Sequence, residues 1–362
     1  MKERVDRVYS QGEEELDAIL LMNDVEPNTD LSFFYVTGAG SGVFEGCLAV
    51  LWPDGGLDLL ISQLEETSAR RTDGQVQVFS KGQEREELVK ELLGHGKRIG
   101  VNGSGLTYRN AMTVQKWLPE AELVDVHEWF ESARMVKDQR ELENLREAGG
   151  IASQVAEEIP LFLKEGMTEA EAAAEISYRM ERRGASGPAF DTVAAFGAGS
   201  AEPHYSPGNV PLSRGDAALF DFGAAVRRYR SDITRTFFSR EATERQERMY
   251  QVVRGAQEAA LEEIRAGASS VAVDAAAREF IDSTEFQGRF IHSLGHGIGL
   301  SVHDGGRLGP NGDMELKENM VLTVEPGVYF PGEGGVRIED DVRVTRDGHE
   351  MLTHATRDLM VI

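Results

Sequence analysis

The sequence predicts a two-domain chain of mixed α/β structure, and three observations carry that prediction. Its 362 residues amount to about two domains at roughly 150 residues each. Strand-like and helix-like segments alternate through the first 130 residues. Near Met135 the texture changes, and a long helical stretch is followed by apolar strands that carry acidic residues. The boundary is expected at about 131–137, which gives domains over 1–131 and 132–362.

Composition narrows the classes. Apolar residues make up 41% and charged residues 28%, which excludes a collagen-like, low-complexity or wholly disordered chain. No apolar run approaches the roughly 18 residues of a membrane span, so no membrane partner is expected. The charged start Met1-Lys2-Glu3-Arg4 lacks an apolar core, so a signal peptide is not expected and a cytoplasmic location is the default. Cys47 is the only cysteine, which rules out an intrachain disulfide and a cysteine zinc cluster. In Val43–Val50 it reads as a buried structural thiol. The net charge of −24 argues against nucleic acid as a partner. Only 8 of the 38 basic residues are Lys. Excess carboxylate with scarce Lys suits a protein kept soluble in high salt, and a GC-rich genome gives the same Arg bias.

In chain order, Leu31–Val36 and Gly46–Trp52 read as strands, the second closed by the turn Pro53-Asp54-Gly55-Gly56 and paired with Leu57–Ile61. Glu84–Leu93 places Leu88, Val89, Leu92 and Leu93 at helical spacing. Arg98–Asn102 is another short strand, and residues 138–158 form a long helix. The first domain shows no phosphate-cradling loop and no convergent catalytic set.

The chemistry concentrates in the second domain. Leu219-Phe220-Asp221-Phe222-Gly223 is a strand with an acid among apolar residues. In Ser231–Phe238, period-2 alternation puts Asp232, Thr234 and Thr236 on one face of a strand. Leu294–Leu300 holds His296 between glycines that permit unusual backbone angles and close approach. Val321–Gly327 is an apolar strand ending in Glu325, and Gly335–Val342 alternates Arg337, Glu339 and Asp341 with Val336, Ile338, Asp340 and Val342. Isolated buried carboxylates are expensive, and four of them together stay ionised only beside cations. Four carboxylates and one imidazole exceed what a single ion with an open position needs, so the pattern points to a dimetal site. Hard oxygen ligands with one nitrogen favour Mn²⁺ or Co²⁺, with Zn²⁺ behind them.

On these residues the chain resembles the pita-bread metallopeptidases, in their proline-specific branch of Xaa-Pro aminopeptidases and Xaa-Pro dipeptidases (prolidases). The resemblance rests on Pro203-His204-Tyr205, Asp221-Phe222-Gly223, Ser231–Thr236, Gly295–Leu300, Val302-His303-Asp304, Val324–Tyr329 and Val336–Asp341. It implies a creatinase-type N-terminal domain followed by a pita-bread catalytic domain. It implies a metallohydrolase that cleaves the Xaa-Pro bond and works as a homodimer. Asp221 would chelate the first metal, Asp232 and Glu339 would bridge the pair, and His296 and Glu325 would complete the second. A hydroxide between the metals would attack, with Glu325 as general acid/base and His204 and His303 steadying the oxyanion. Thr234 would support the first metal's surroundings, and Arg337 would hold carboxylates or substrate.

Other residues keep two readings. His292 is either at the site or a packed core histidine, Tyr329 either functional or merely packed, and Arg307 either a carboxylate anchor or a solvated side chain. The loop His303-Asp304-Gly305-Gly306-Arg307 departs from the Glu-and-Pro pattern frequent in the family, which bears on substrate length. Two competing functions are a metal-free creatinase-like amidinohydrolase and a pita-bread binding protein without catalysis. Retention of all five ligand types argues against both.

Overall fold

The computed structural model describes residues 1–362 and divides into two compact units, Met1–Arg134 and Met135–Ile362. The first unit is a six-stranded sheet in the order β4-β3-β2-β1-β5-β6. Its strands are β1 (Ala18–Met22), β2 (Leu48–Leu51), β3 (Leu57–Ser62), β4 (Gln75–Phe79), β5 (Arg98–Val101) and β6 (Glu122–Asp125). Its helices are α1 (Lys2–Tyr9), α2 (Leu31–Thr37), α3 (Glu66–Ala69), α4 (Gly82–Leu93), α5 (Tyr108–Trp117) and α6 (His127–Met135). The expected hairpin is present, with Leu51 opposite Leu57 across the Pro53–Gly56 turn. Val89 and Leu93 of α4 and Val114 and Trp117 of α5 bury one face of the sheet against Leu20, Leu48 and Leu60. Cys47 is buried, and its Sγ accepts a hydrogen bond from Ser62 N at 3.4 Å.

One element reverses its expected type. Leu31–Val36 is helix, not strand. Asp30 caps it by accepting from Ser32 N, and Gly38 ends it at φ +64°, a left-handed conformation open to glycine. Every residue from Ser32 to Thr37 is buried, so the helix has no polar face and its short apolar run imitates a strand. Strand β1 went unread for a related reason: its five residues are all buried and show no alternation.

The second unit begins with α7 (Gln139–Phe162) and α8 (Glu169–Arg182). Then come β7 (Gly187–Pro188), β8 (Val193–Phe196), β9 (Ala217–Phe222), β10 (Ala224–Val226), β11 (Tyr229–Arg230) and β12 (Ile233–Phe238). A second helix pair follows, α9 (Glu244–Glu263) and α10 (Ser270–Asp282). The chain closes with β13 (Gly295–His296), β14 (Arg307–Leu308), β15 (Val321–Val324), β16 (Gly327–Phe330), β17 (Gly334–Arg337), β18 (Glu339–Val344) and β19 (His349–Met351). The main sheet runs β15-β18-β12-β9-β8, with β19 added on β18.

Two apolar cores cover one face of that sheet. Phe220, Phe222, Ile233 and Phe237 pack with Ile151, Val155 and Ile176 of α7 and α8. On the other half, Leu322, Val324 and Val342 pack with Val253, Leu261 and Val273 of α9 and α10. Residues of opposite parity on the same strands are left for the other face, where the polar side chains gather. The alternation read through Gly335–Val342 spans two strands: β17 pairs with β16, the ladder breaks at Ile338, and β18 pairs with β12 and β15. No helix is long and apolar enough to cross a membrane.

Candidate metal centre

Register builds the site. Val193 pairs with Asp221, Asp221 with Thr234, and Thr234 with Glu339. Directly opposed residues share a face, so these four form one row across β8, β9, β12 and β18. On β15, Val324 pairs with Asp340, and one further residue in that register brings Glu325 beside Glu339. Asp232 stands two residues before Thr234 on the same face. Its backbone N–H donates to Asp341 Oδ2 at 2.9 Å.

His296 reaches this row from the short strand β13, which the bridge between Gly297 and Leu322 presses against β15. The glycines around it serve close approach rather than unusual angles, since none of Gly295, Gly297 and Gly299 has a positive φ. A Cβ on Gly295 would stand 1.9 Å from Thr323 O, and one on Gly297 would stand 1.6 Å from Gly305 O. His296 Nδ1 lies 3.2 Å from Gly297 O. A carbonyl only accepts, so Nδ1 carries the proton and Nε2 presents a lone pair. That lone pair faces Glu325 Oε1 at 3.6 Å and Asp232 Oδ2 at 3.9 Å. A ring nitrogen of His296 and carboxylate oxygens of Asp232 and Glu339 all lie within 4.8 Å of one another.

These acceptors face each other, and not every oxygen among them finds a donor. Asp221 Oδ1 and Asp232 Oδ1 are buried without a hydrogen-bond partner. Burial, then repulsion from neighbouring carboxylates, pushes Asp232 and Glu339 well above the usual carboxylate range. Burial likewise raises Glu325 to about 8, against the pull of Arg337. Burial lowers His296 to about 4, so its imidazole is neutral at physiological pH. Buried acids destabilised by one another, orphaned oxygens and a neutral imidazole lone pair are the donor set of divalent cations.

Arg337 is the one buried cation on this row. Its Nη2 donates to Asp221 Oδ2 at 2.6 Å, Nε to Thr234 Oγ1 at 3.1 Å and Nη1 to Tyr329 Oη at 3.1 Å. Thr234 Oγ1 in turn donates to Glu339 Oε2 at 2.6 Å, so its hydrogen bond goes to Glu339 and not to the opposed Asp221. His292 Nδ1 lies 2.7 Å from Ser293 O, so it is the donor and Nε2 accepts from Tyr329 Oη at 2.8 Å. Tyr329 therefore stands behind the wall, linking His292 to Arg337, and does not line the cavity. His292 itself does, and burial holds it down to about 4.

The cavity has a volume of about 820 Å³ and is lined by all five expected ligands together with His204, His303, Arg307 and Arg337. The His303 ring centroid lies 4.2 Å from that of His296. Sequence reasoning gave no role to Asp341, which shares the row's face and accepts from Asp232 N, or to Arg235, which supports the row from the opposite face. Arg235 Nη1 donates to the carbonyls of Thr234 and Glu339 at 2.9 and 2.7 Å, and Nη2 to Asp340 Oδ1 at 2.8 Å. Asp341 could have been found by its two-residue spacing from Glu339. Arg235 could not, since it lies on the opposite face among apolar residues. Phe190 and Val193 line the cavity without any polar signal.

The fold and the acid-rich centre define a metal-dependent hydrolase of the pita-bread class. Residues 143–346 match metallopeptidase family M24, and residues 5–136 match the creatinase/prolidase N-terminal domain. The chain belongs to metallopeptidase family M24, whose centre takes divalent ions. It is 33% identical over 365 residues to the Xaa-Pro dipeptidase of Pyrococcus furiosus, covering 99% of this chain and 100% of that one. The crystal structure of X-Pro aminopeptidase from Thermotoga maritima superposes with a TM-score of 0.90 at 33% identity, covering 96% of this chain and 98% of that one. The Xaa-Pro dipeptidase from Bacillus anthracis gives 0.91 at 31% identity, covering 99% of each chain.

Proposed function

We propose that this enzyme hydrolyses the peptide bond before proline, with Xaa-Pro dipeptides as preferred substrates, using two divalent ions held by Asp221, Asp232, His296, Glu325 and Glu339. The observation that carries the reading is the set of inward-facing carboxylates, among which Asp221 Oδ1 and Asp232 Oδ1 are buried without a donor. Four carboxylates against the Arg337 guanidinium leave three negative charges. One divalent ion leaves the set negative, whereas two turn it slightly positive, which suits an anionic nucleophile. The oxygen-rich donor set favours Mn²⁺ or Co²⁺ over Zn²⁺. Two such ions would polarise the scissile carbonyl and lower the pKa of the attacking water.

The chain's own residues do the rest. Glu325 takes the water's proton and delivers it to the proline nitrogen as that nitrogen leaves. His204 and His303, both on the cavity wall, donate to the carbonyl oxygen as charge develops there. Proline's tertiary amide has no N–H to offer, so recognition falls to shape, and Phe190 and Val193 supply an apolar wall.

Arg307 supports the dipeptide reading. Its Nε donates to Ser293 Oγ at 2.7 Å, which fixes the guanidinium at the cavity rim with both Nη groups left for a ligand. The carboxylate of a dipeptide's proline is the group such a fork binds. Metal-loaded enzyme should therefore turn over an Xaa-Pro dipeptide faster than the matching Xaa-Pro-Xaa tripeptide. Arg307→Ala should raise KM for the dipeptide roughly tenfold or more, in line with a lost charge-assisted pair, and leave the tripeptide unchanged. Equal loss on both peptides would reject the anchor, and no hydrolysis of either by the wild type would reject the function. A homodimer is the proposed assembly, by analogy with this branch; light scattering that gives a monomer mass at micromolar concentration would reject it.

A further inference from the structure

The loop that carries His204 hangs from one buried carboxylate. Between β8 and β9 the chain has only the short 3-10 segment Gly197–Ala201, where Ser200 Oγ accepts from Gly335 N, and an isolated bridge from Pro211 to Thr168. Glu169, the first residue of α8, is completely buried beneath it. Its Oε1 accepts from Phe196 N at 2.9 Å. Its Oε2 accepts from Tyr205 Oη and from Gly208 N, both at 3.0 Å. One side chain thus ties the end of β8 and the Tyr205–Gly208 stretch of the loop to the start of a helix. The peptide groups there reinforce the tie: Ala170 N donates to Gly208 O at 3.0 Å, and Glu169 N donates to Val210 O at 3.1 Å.

A buried carboxylate needs compensation, and here it comes from three donors and the positive end of the α8 dipole. Capping does not require this residue, because Thr168 already caps α8 and Glu171 completes its capping box. All three donors belong instead to the segment that forms part of the cavity wall. Tyr205 is the direct link: its hydroxyl is on Glu169, its ring packs on Gly199, and it lines the cavity beside His204.

We propose that Glu169 is a positioning residue that sets His204 against the scissile carbonyl, acting through Tyr205 and the Gly208 amide. This rests on the peptidase reading and on the oxyanion role given to His204. The test compares Glu169→Gln, Tyr205→Phe, His204→Ala and the Glu169→Gln/His204→Ala double variant as metal-loaded full-length enzymes on an Xaa-Pro dipeptide. Gln keeps one acceptor but turns an NH₂ group toward backbone N–H groups, so the loop loses a tie without losing volume.

Glu169→Gln should lower kcat roughly 10- to 100-fold, as losing a supporting hydrogen bond typically does, with metal content unchanged. The double variant should be no slower than His204→Ala alone, because the carboxylate acts through that histidine. Tyr205→Phe should lower kcat in the same direction, and its combination with His204→Ala gives the same comparison should Glu169→Gln not fold. Multiplying losses in the double variant, or a wild-type kcat in either Glu169→Gln or Tyr205→Phe, would overturn the proposal. Hydrogen exchange separates this from failure of the peptidase reading. Amides over 197–208 should exchange faster in Glu169→Gln, or in Tyr205→Phe, whether or not any peptide is cleaved. Wild-type exchange rates there would overturn the clamp on their own.

Discussion

Asp232→Asn is expected to bring turnover to background, a larger loss than the roughly 10²–10³-fold typical of one oxyanion donor. The substitution keeps the shape of a 4% exposed side chain and removes its charge from the point where it faces His296 and Glu339. Metal stoichiometry, measured on the folded protein, should fall with it. Chelation of the wild type should do the same reversibly, with Mn²⁺ or Co²⁺ restoring activity. Thermal stability should drop on chelation as well, because ions that bind only the folded state stabilise it by mass action.

The pH dependence has a definite sign. Burial pushes Glu325 to about 8 and Asp232 and Glu339 well above the carboxylate range in the ion-free protein. Those protons must leave when metal binds, so apparent metal affinity should rise as pH rises toward 8 and weaken below it. Full activity in metal-free protein, or affinity that falls with rising pH, would defeat this account.

Gly297→Ala should be among the most damaging single-methyl changes in the chain. Its Cβ would sit 1.6 Å from Gly305 O, and both sides of that contact are backbone. A clash with a side chain can rotate away, whereas here β13 must leave its place against β15 and take His296 with it. The cost is roughly 3 kcal/mol or more, at the top of what overpacking produces. Gly150→Ala is the internal contrast. It lies within α7, and its Cβ would meet nothing within 4 Å. That substitution should stabilise by roughly 0.5–1 kcal/mol, the ordinary helix preference of Ala over Gly. Denaturant unfolding of the two variants reads both signs, and a Gly297→Ala protein of wild-type stability would show that the contact yields.

The site was more legible than the fold around it, and the reason is chemical. Acids and a histidine inside apolar strands conflict with local burial, and such conflict is visible without coordinates. Asp221, Asp232, His296, Glu325 and Glu339 all announce themselves that way, and the structure brings them to one cavity. Helix α2 did not, because a fully buried helix has neither a polar face nor a period to read. Arg235 was hidden for the opposite reason: its charge is spent on carbonyls and Asp340 inside the sheet, a partnership fixed by tertiary contact alone. The glycines beside His296 were legible as special, with two purposes open, unusual angles and close approach. The packed strands decide for close approach: none of the three glycines has a positive φ, and a Cβ on Gly295 or Gly297 would meet backbone.

The single row formed by Asp221, Thr234 and Glu339 has a consequence for the order of events during synthesis. Thr234 and its partner Glu339 lie 105 residues apart. The first two members of the row can pair as soon as β9 and β12 emerge, but the last arrives only with β18. Until then the emerging chain holds isolated acids with no pocket to concentrate them. The full donor set therefore exists only once β18 is in place, close to the end of the polypeptide.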